Sequence, residues 1–372
     1  MKVTLVAGAR PNFMKIAPII EAIRQAGAAG QPIEYRLVHT GQHYDKNMSE
    51  SFFTELGIPE PDANLECGGG TQAEQAANIM VRFEQELFAN PTDLVLVVGD
   101  VTSTMSCSIA AKKLNIDVAH VEAGIRSGDM TMPEEVNRIV TDSITDLFFT
   151  TSEVANTNLR RSGVGEERIH FVGNTMIDTL LKQRPRFVQP AFWSDLGLQP
   201  QQYFVLTLHR PANVDDAEGL RTLIDTITQT SRNLPIIFPV HPRTARNLKQ
   251  FNISAPNLHL VEPMSYLQFN YLVERARAVI TDSGGITEET TVMGVPCITL
   301  RNSTERPETV TVGTNELIGT DPAALPPYME RLFSNDWKQG GVPELWDGQT
   351  AGRIVDILLR TYSSKTQPAT TN

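Results

Sequence analysis

Ala276-Arg277-Ala278-Val279-Ile280-Thr281-Asp282-Ser283-Gly284-Gly285-Ile286-Thr287-Glu288-Glu289, followed shortly by Val292-Met293-Gly294-Val295-Pro296, is the stretch that decides how this chain folds. The apolar run reads as a buried strand ending at Thr281. The chain then turns through Ser283, Gly284 and Gly285, and a helix opens. Its first backbone N–H groups lack intrahelical partners and sit at the positive end of the helix dipole, an arrangement that holds phosphate. Glu288 and Glu289 lie one turn further in, where a carboxylate can accept hydrogen bonds from ribose hydroxyls. The ligand implied is a nucleotide carrying a diphosphate. The competing reading is a strand-to-helix turn in which glycine only permits tight packing.

Outward from this stretch, short β-branched runs alternate with amphipathic ones. Val3–Ala7, Tyr35–Thr40, Leu94–Val98, Val118–Val121, Leu147–Thr150 and Ile169–Val172 read as one strand series. Tyr203–Leu208, Ile236–Val240, Leu258–Val261, Ala278–Thr281 and Cys297–Leu300 read as a second. Such alternation specifies α/β architecture: two doubly wound parallel sheets with helices on both faces. At roughly 100 to 200 residues per domain, two domains also fit the length. The expected division is 1–177 and 178–350, with Pro185, Pro190 and Pro200 breaking helical runs in a linker-like stretch. An amphipathic helix at about 350–363 has either domain available to dock on, and the polar tail 363–372 is expected to be disordered. Ligands of open parallel sheets bind beyond the carboxyl ends of the strands, so two such sheets are expected to face one central cleft.

The formal net charge of −11 argues against broad binding to nucleic acid or an anionic membrane, which would need a basic face, and neither partner is expected. Cys67, Cys107 and Cys297 lack CxxC spacing, which indicates neither a disulfide framework nor a zinc site. Reduced thiols and a cytoplasmic location are expected. Val3–Ala7 is too short for a signal-peptide core, and no stretch approaches about 18 to 20 apolar residues.

Polar residues concentrate at predicted strand ends. The first strand runs into Gly8-Ala9-Arg10-Pro11-Asn12-Phe13-Met14-Lys15, which is neither GxGxxG nor a Walker A loop, and both Arg10 and Lys15 can reach an anion. The third ends in Gly99-Asp100 and the fourth in His120-Val121-Glu122, while Pro133-Glu134-Glu135 opens a helix carrying Asn137 and Arg138. Singly, each carboxylate is equally well a helix cap or a salt-bridged structural acid. Together with Arg10, Lys15, Arg126 and Arg138 they suit proton abstraction at carbon, which needs a base shielded from water and a second group of different protonation state, as paired acids in unlike environments can supply. In the second half, His209 and His241 each end a strand beside an arginine and are placed to neutralise a diphosphate. Arg306 faces either phosphate or its neighbours Glu305 and Glu308. No spacing resembles a metal site.

The blocks GARPNFMKIAP, GQH, VVGDVTST, HVEAGIRSGD, PEEVNR, FVGNTMID, LHRPANV, FPVHP, TDSGGITEE and STERPETV, ten in order over residues 1 to 360, make the chain resemble the non-hydrolysing UDP-N-acetylglucosamine 2-epimerases. The resemblance implies two Rossmann-like domains of glycosyltransferase-B type, a homodimer and no required cofactor or metal. It implies interconversion of UDP-GlcNAc with UDP-ManNAc by anti elimination of UDP to 2-acetamidoglucal and re-addition. It assigns Asp100, Glu122 and Glu134 as acid/base carboxylates and His209 near the diphosphate. It assigns Arg10, Lys15, Arg138, His241, Ser283, Gly284, Gly285, Glu289 and Arg306 to substrate binding.

Three departures bear on regulation. Gly69-Gly70 stands where many relatives have an Arg-Gln pair, Asp45 replaces a common glutamine, and PVHPRT replaces the usual PVHxNP. Gln42, His43 and His241 remain, the first two as the remnant of an allosteric substrate site. These departures count against regulation by a second substrate molecule and make a hydrolysing epimerase, releasing ManNAc, the nearest rival. A glycosyltransferase of the same architecture is the next.

Overall fold

The computed structural model describes residues 1–41, 53 and 55–363, apart from the side chains of Arg10 and Ser363. The chain forms two compact units, Met1–Lys182 with Glu344–Asn372, and Gln183–Pro343.

The first unit holds seven strands: β1 (Lys2–Ala7), β2 (Glu34–His39), β3 (Ala63–Asn64), β4 (Leu94–Val98), β5 (Asp117–Val121), β6 (Leu147–Thr150) and β7 (Ile169–Phe171). All pair in parallel, in the order β3-β2-β1-β4-β5-β6-β7. Every residue of β4 and all but the first of β1 are buried, as a parallel sheet covered on both faces requires.

The second unit holds β8 (Phe204–Thr207), β9 (Ile236–Pro239), β10 (Leu258–Val261), β11 (Ala278–Thr281), β12 (Cys297–Thr299) and β13 (Asn315–Leu317), parallel in the order β10-β9-β8-β11-β12-β13. The two-residue period of a strand divides the core. Phe204, Leu206, Phe238 and Ile280 pack on the helix Ala217–Thr230 side, whereas Tyr203, Val205, Ile237 and Val279 pack with Trp193, Leu272 and Val273. Both sheets reverse their winding beside their first strand, between β1 and β4 and between β8 and β11. Those reversals are where a doubly wound sheet leaves a crevice for ligands.

Sequence reasoning missed β3 and β13, whose two and three residues carry too little pattern to read. The division also differs from the expected one. The helix Thr175–Gln183 belongs to the first unit because Thr179 Oγ1 donates to Met14 O at 2.6 Å, and Asp178 accepts from the Thr350 and Ala351 N–H groups. Those bonds cap the helix Thr350–Ser363 and fix it to the first unit, together with Trp346, whose Nε1 donates to Thr151 O at 3.0 Å. The proline-rich stretch is not a free linker. Trp193 is buried in the second unit, edge-on to both Tyr203 and Tyr271. Among the described residues no helix is long and apolar enough to cross a membrane.

Candidate active site

In the first unit the winding reversal is closed by Asn12. Its Oδ1 accepts from Gly8 N and Ala9 N at 3.2 and 3.0 Å, and its Nδ2 donates to Val98 O at the end of β4. One turn further along the helix Arg10–Ala28, Lys15 Nζ lies 2.7 Å from Glu122 Oε2. Glu122 follows β5 with φ of +70°, a left-handed conformation that costs a non-glycine residue on the order of 1–3 kcal/mol and is retained where a side chain must be aimed. A Cβ on Gly99 would lie 3.0 Å from Lys15 Nζ, so glycine is what admits the ammonium against the loop leaving β4.

Asp100, next in that loop, pairs with Arg138, and its carbonyl accepts from Asn137 Nδ2 at 2.8 Å. Glu135 holds Arg138 from the other side at 2.8 Å and accepts from Ser127 N, Ser127 Oγ and Gly128 N. Burial pushes the Glu135 carboxyl upward, but these donors together bring it below its usual range. Glu135 is therefore a structural anchor that sequence reasoning passed over in favour of its neighbour. Glu134 is half-buried and, among the described residues, makes no hydrogen bond or ion pair. Arg126 does not join the expected cluster. It donates to Asp142 at 2.6 Å, and Asp142 also meets His120 Nδ1 at 2.8 Å, while His120 Nε2 lies 2.8 Å from Gly99 O and braces the same loop.

The Arg10 side chain, Gln42 and His43 lie outside the described residues. Gly69 and Gly70 have φ of +82° and +79°, backbone that larger residues avoid.

In the second unit the reversal brings His209, after β8, to Asp282, after β11. Thr207 Oγ1 and Thr281 Oγ1 tie the two strand ends at 2.6 Å. Asp282 is fully buried and meets His209 Nδ1 at 2.8 Å. Burial works against its ionised form, but His209, Arg210 and Asn213 outweigh it and hold the carboxyl below its ordinary range. His241 is exposed and caps the helix Pro242–Gln250, its Nδ1 accepting from Arg243 N at 3.3 Å.

Ser283 precedes the helix Gly284–Met293, and no side chain caps that helix. A Cβ on Gly285 would meet nothing within 4 Å, one on Gly284 nothing nearer than 3.4 Å, and neither glycine has a positive φ. Among the described residues, neither packing nor backbone conformation calls for glycine here, and the turn is open to close approach. Arg301 grips Glu305 through two 2.8 Å bonds beside this turn. Arg306 Nε reaches Glu288 Oε1 at 2.5 Å, a partner the sequence did not single out.

Glu289 is buried and accepts from Tyr266 OH at 2.8 Å. Burial pushes its carboxyl up to about 7, Glu288 adding to the rise and Tyr266 opposing it. The folded protein thus binds a proton that the unfolded chain, titrating near 4.5, has released. Stability from this group is fully present below pH 4.5 and is lost as pH rises through about 7. Glu289→Gln is expected to flatten the fall in unfolding free energy across that window, read by denaturant titration at several pH values; an unchanged slope refutes it.

The family description UDP-N-acetylglucosamine 2-epimerase matches residues 25–359. The chain is similar to the UDP-N-acetylglucosamine 2-epimerase of Methanocaldococcus jannaschii, at 40% identity over 372 residues, covering 96% of this chain and 99% of the relative. It is 38% identical over 365 residues to the UDP-2,3-diacetamido-2,3-dideoxy-D-glucuronate 2-epimerase of Pseudomonas aeruginosa, covering 97% and 100%. The crystal structure of the Methanocaldococcus jannaschii enzyme in complex with UDP-GlcNAc and UDP superimposes with a TM-score of 0.85 at 39% identity, covering 97% of this chain and 100% of that one. Similarity that runs nearly end to end, in sequence and in fold alike, establishes that the chain belongs to the non-hydrolysing UDP-N-acetylglucosamine 2-epimerase family, with its glycosyltransferase-B-like architecture.

Proposed function

We propose that this chain interconverts UDP-GlcNAc and UDP-ManNAc, the first unit acting on the sugar and the second holding the nucleotide. Supporting this most directly is a pair of carboxylates at neighbouring strand ends, each matched to its own cation: Asp100 to Arg138 and Glu122 to Lys15. In the reaction one carboxylate takes the C2 proton while the C1–O bond breaks. The electron pair becomes the C1–C2 double bond of 2-acetamidoglucal, and UDP leaves with its charge. A second acid then protonates C2 on the opposite face while UDP re-adds at C1. Glu134, half-buried beside these groups in sequence, is assigned to this acid/base set. Ser283, Gly284, Gly285 and Glu289 are assigned to UDP, and His209 to its diphosphate. Nothing is oxidised, and atoms balance without a further reactant.

The homodimer is part of this proposal. Val81 and Phe88 on the helix Gln72–Ala89, and Val136 and Ile139 on the helix Pro133–Ile144, are exposed apolar residues that a second copy would cover.

The test is incubation in deuterated water, followed by NMR, with UDP-GlcNAc and separately with UDP-2,3-diacetamido-2,3-dideoxy-D-glucuronate, because the relative that acts on the latter is also similar to this chain. Deuterium at C2 with UDP-ManNAc formed from UDP-GlcNAc is the expected result. Free ManNAc and UDP would mean hydrolysis, exchange with the second sugar alone would move the substrate, and no exchange with either would overturn the reading.

A further inference from the structure

We propose that Asp282 is a positioning residue for His209, fixing which ring nitrogen carries a proton and turning Nε2 to the departing diphosphate. The inference deepens the reading above and rests on it, since it takes His209 as the group that meets the diphosphate.

The two carboxylate oxygens of Asp282 divide their work. Oδ2 accepts from Arg210 N at 2.9 Å and Asn213 Nδ2 at 3.1 Å. Oδ1 faces His209 Nδ1 at 2.8 Å. His209 N reaches both, at 3.2 and 3.0 Å. An ionised carboxylate has no hydrogen to give, so Nδ1 must donate. The neutral ring then carries its lone pair on Nε2, and the protonated ring presents Nε2–H with a positive charge balanced by the buried carboxylate. The surroundings permit movement at only one end. Asp282 is fully buried, whereas the His209 side chain is 53% exposed. Arg210 secures the turn from the other side, its Nε donating to Asp282 O at 3.1 Å, and its guanidinium approaches Glu305 at 4.0 Å. As the C1–O bond breaks, the ring in its protonated form, its charge balanced by Asp282, donates Nε2–H to a phosphate oxygen and stabilises the charge that develops there.

A structural acid would also be buried and hydrogen-bonded, so the test must isolate the imidazole. Asp282→Asn keeps an acceptor in the Oδ2 place, sets a donor against Nδ1, and removes the negative charge that balances the protonated ring, so the neutral ring inverts its tautomer and the protonated form is lost. In wild type, 15N NMR of the histidine rings is expected to show the neutral His209 protonated at Nδ1; protonation at Nε2 overturns the proposal without any variant. Asp282→Asn is expected to lower kcat about tenfold or more with KM little changed, and to change kcat by less than about twofold when His209 is already Asn. Equal losses in both backgrounds would make Asp282 a purely structural acid and refute the proposal. A wild-type protein that exchanges no C2 hydrogen overturns the functional reading instead, and the nitrogen shifts alone then decide whether Asp282 sets the ring.

Discussion

Asp100→Asn is expected to remove C2 exchange, by about 10²- to 10⁴-fold, the range typical of a lost general acid or base, while leaving both UDP binding and the fold in place. The structural reason for the second half is that Arg138 keeps Glu135 at 2.8 Å when Asp100 loses its charge. Asp100 is itself partly open to solvent, at 30% side-chain exposure, so its pair with Arg138 adds little stability. Glu122→Gln makes the instructive contrast. Its partner Lys15 is 12% exposed and loses the carboxylate that balances it, and breaking a buried pair from one side costs about 3–5 kcal/mol. Both variants are expected to lose exchange, but only Glu122→Gln to unfold markedly earlier in denaturant. Single-turnover NMR in deuterated water, UDP titration calorimetry and denaturant unfolding of the same preparations read the three quantities. Loss of UDP affinity as severe as the loss of exchange would contradict the acid/base role; retained exchange would sink it outright.

Why the sequence pointed to these carboxylates and passed over their neighbours follows from what a linear pattern can carry. Strand ends were legible because β1, β4, β5, β8 and β11 are short runs rich in apolar and β-branched residues, and the residue after each run lies at the ligand-binding end of a parallel sheet. The phase of the helix Pro133–Ile144 was not legible. Its apolar residues Val136 and Ile139 are exposed, and its polar residues Glu135, Asn137, Arg138, Thr141 and Asp142 are buried. A reader of periodicity turns such a helix inside out. Only the tertiary structure reveals that a polar network faces the sheet, which is why Glu135 and Asp142 went unnoticed and Arg126 was placed with the wrong partners. Asp282 was missed for another reason: it stood inside the most informative stretch, but its partner His209 lies 73 residues away and meets it only once β8 and β11 pair.

The same networks bear on how an acidic chain holds an anion. Among the described arginines and lysines that sequence reasoning offered to an anion, Lys15 has Glu122, Arg138 has Asp100 and Glu135, and Arg306 has Glu288; Arg301, beside the same turn, has Glu305. Spare positive charge is therefore a poor account of nucleotide binding in this protein. We propose instead the backbone N–H groups at the start of the helix Gly284–Met293, because among the described residues no side chain caps them and the helix dipole adds to their attraction for phosphate.

Gly285 puts that account at risk in a single substitution. Because a Cβ there would meet nothing within 4 Å and the backbone is ordinary helix, Gly285→Ala is expected to stabilise the fold by roughly 0.5–1 kcal/mol through the unfolded chain's lost freedom. The same methyl group would stand where the diphosphate approaches the N–H groups. UDP affinity is expected to fall about tenfold, or ~1.4 kcal/mol, and further for Gly285→Leu. Stability and binding thus move in opposite directions at one atom, which general damage to the fold cannot produce. Thermal unfolding and UDP titration of the two variants decide the matter. If the leucine variant binds UDP as tightly as wild type, the open space before Gly285 is not the nucleotide's, and the diphosphate must be sought elsewhere in the second unit.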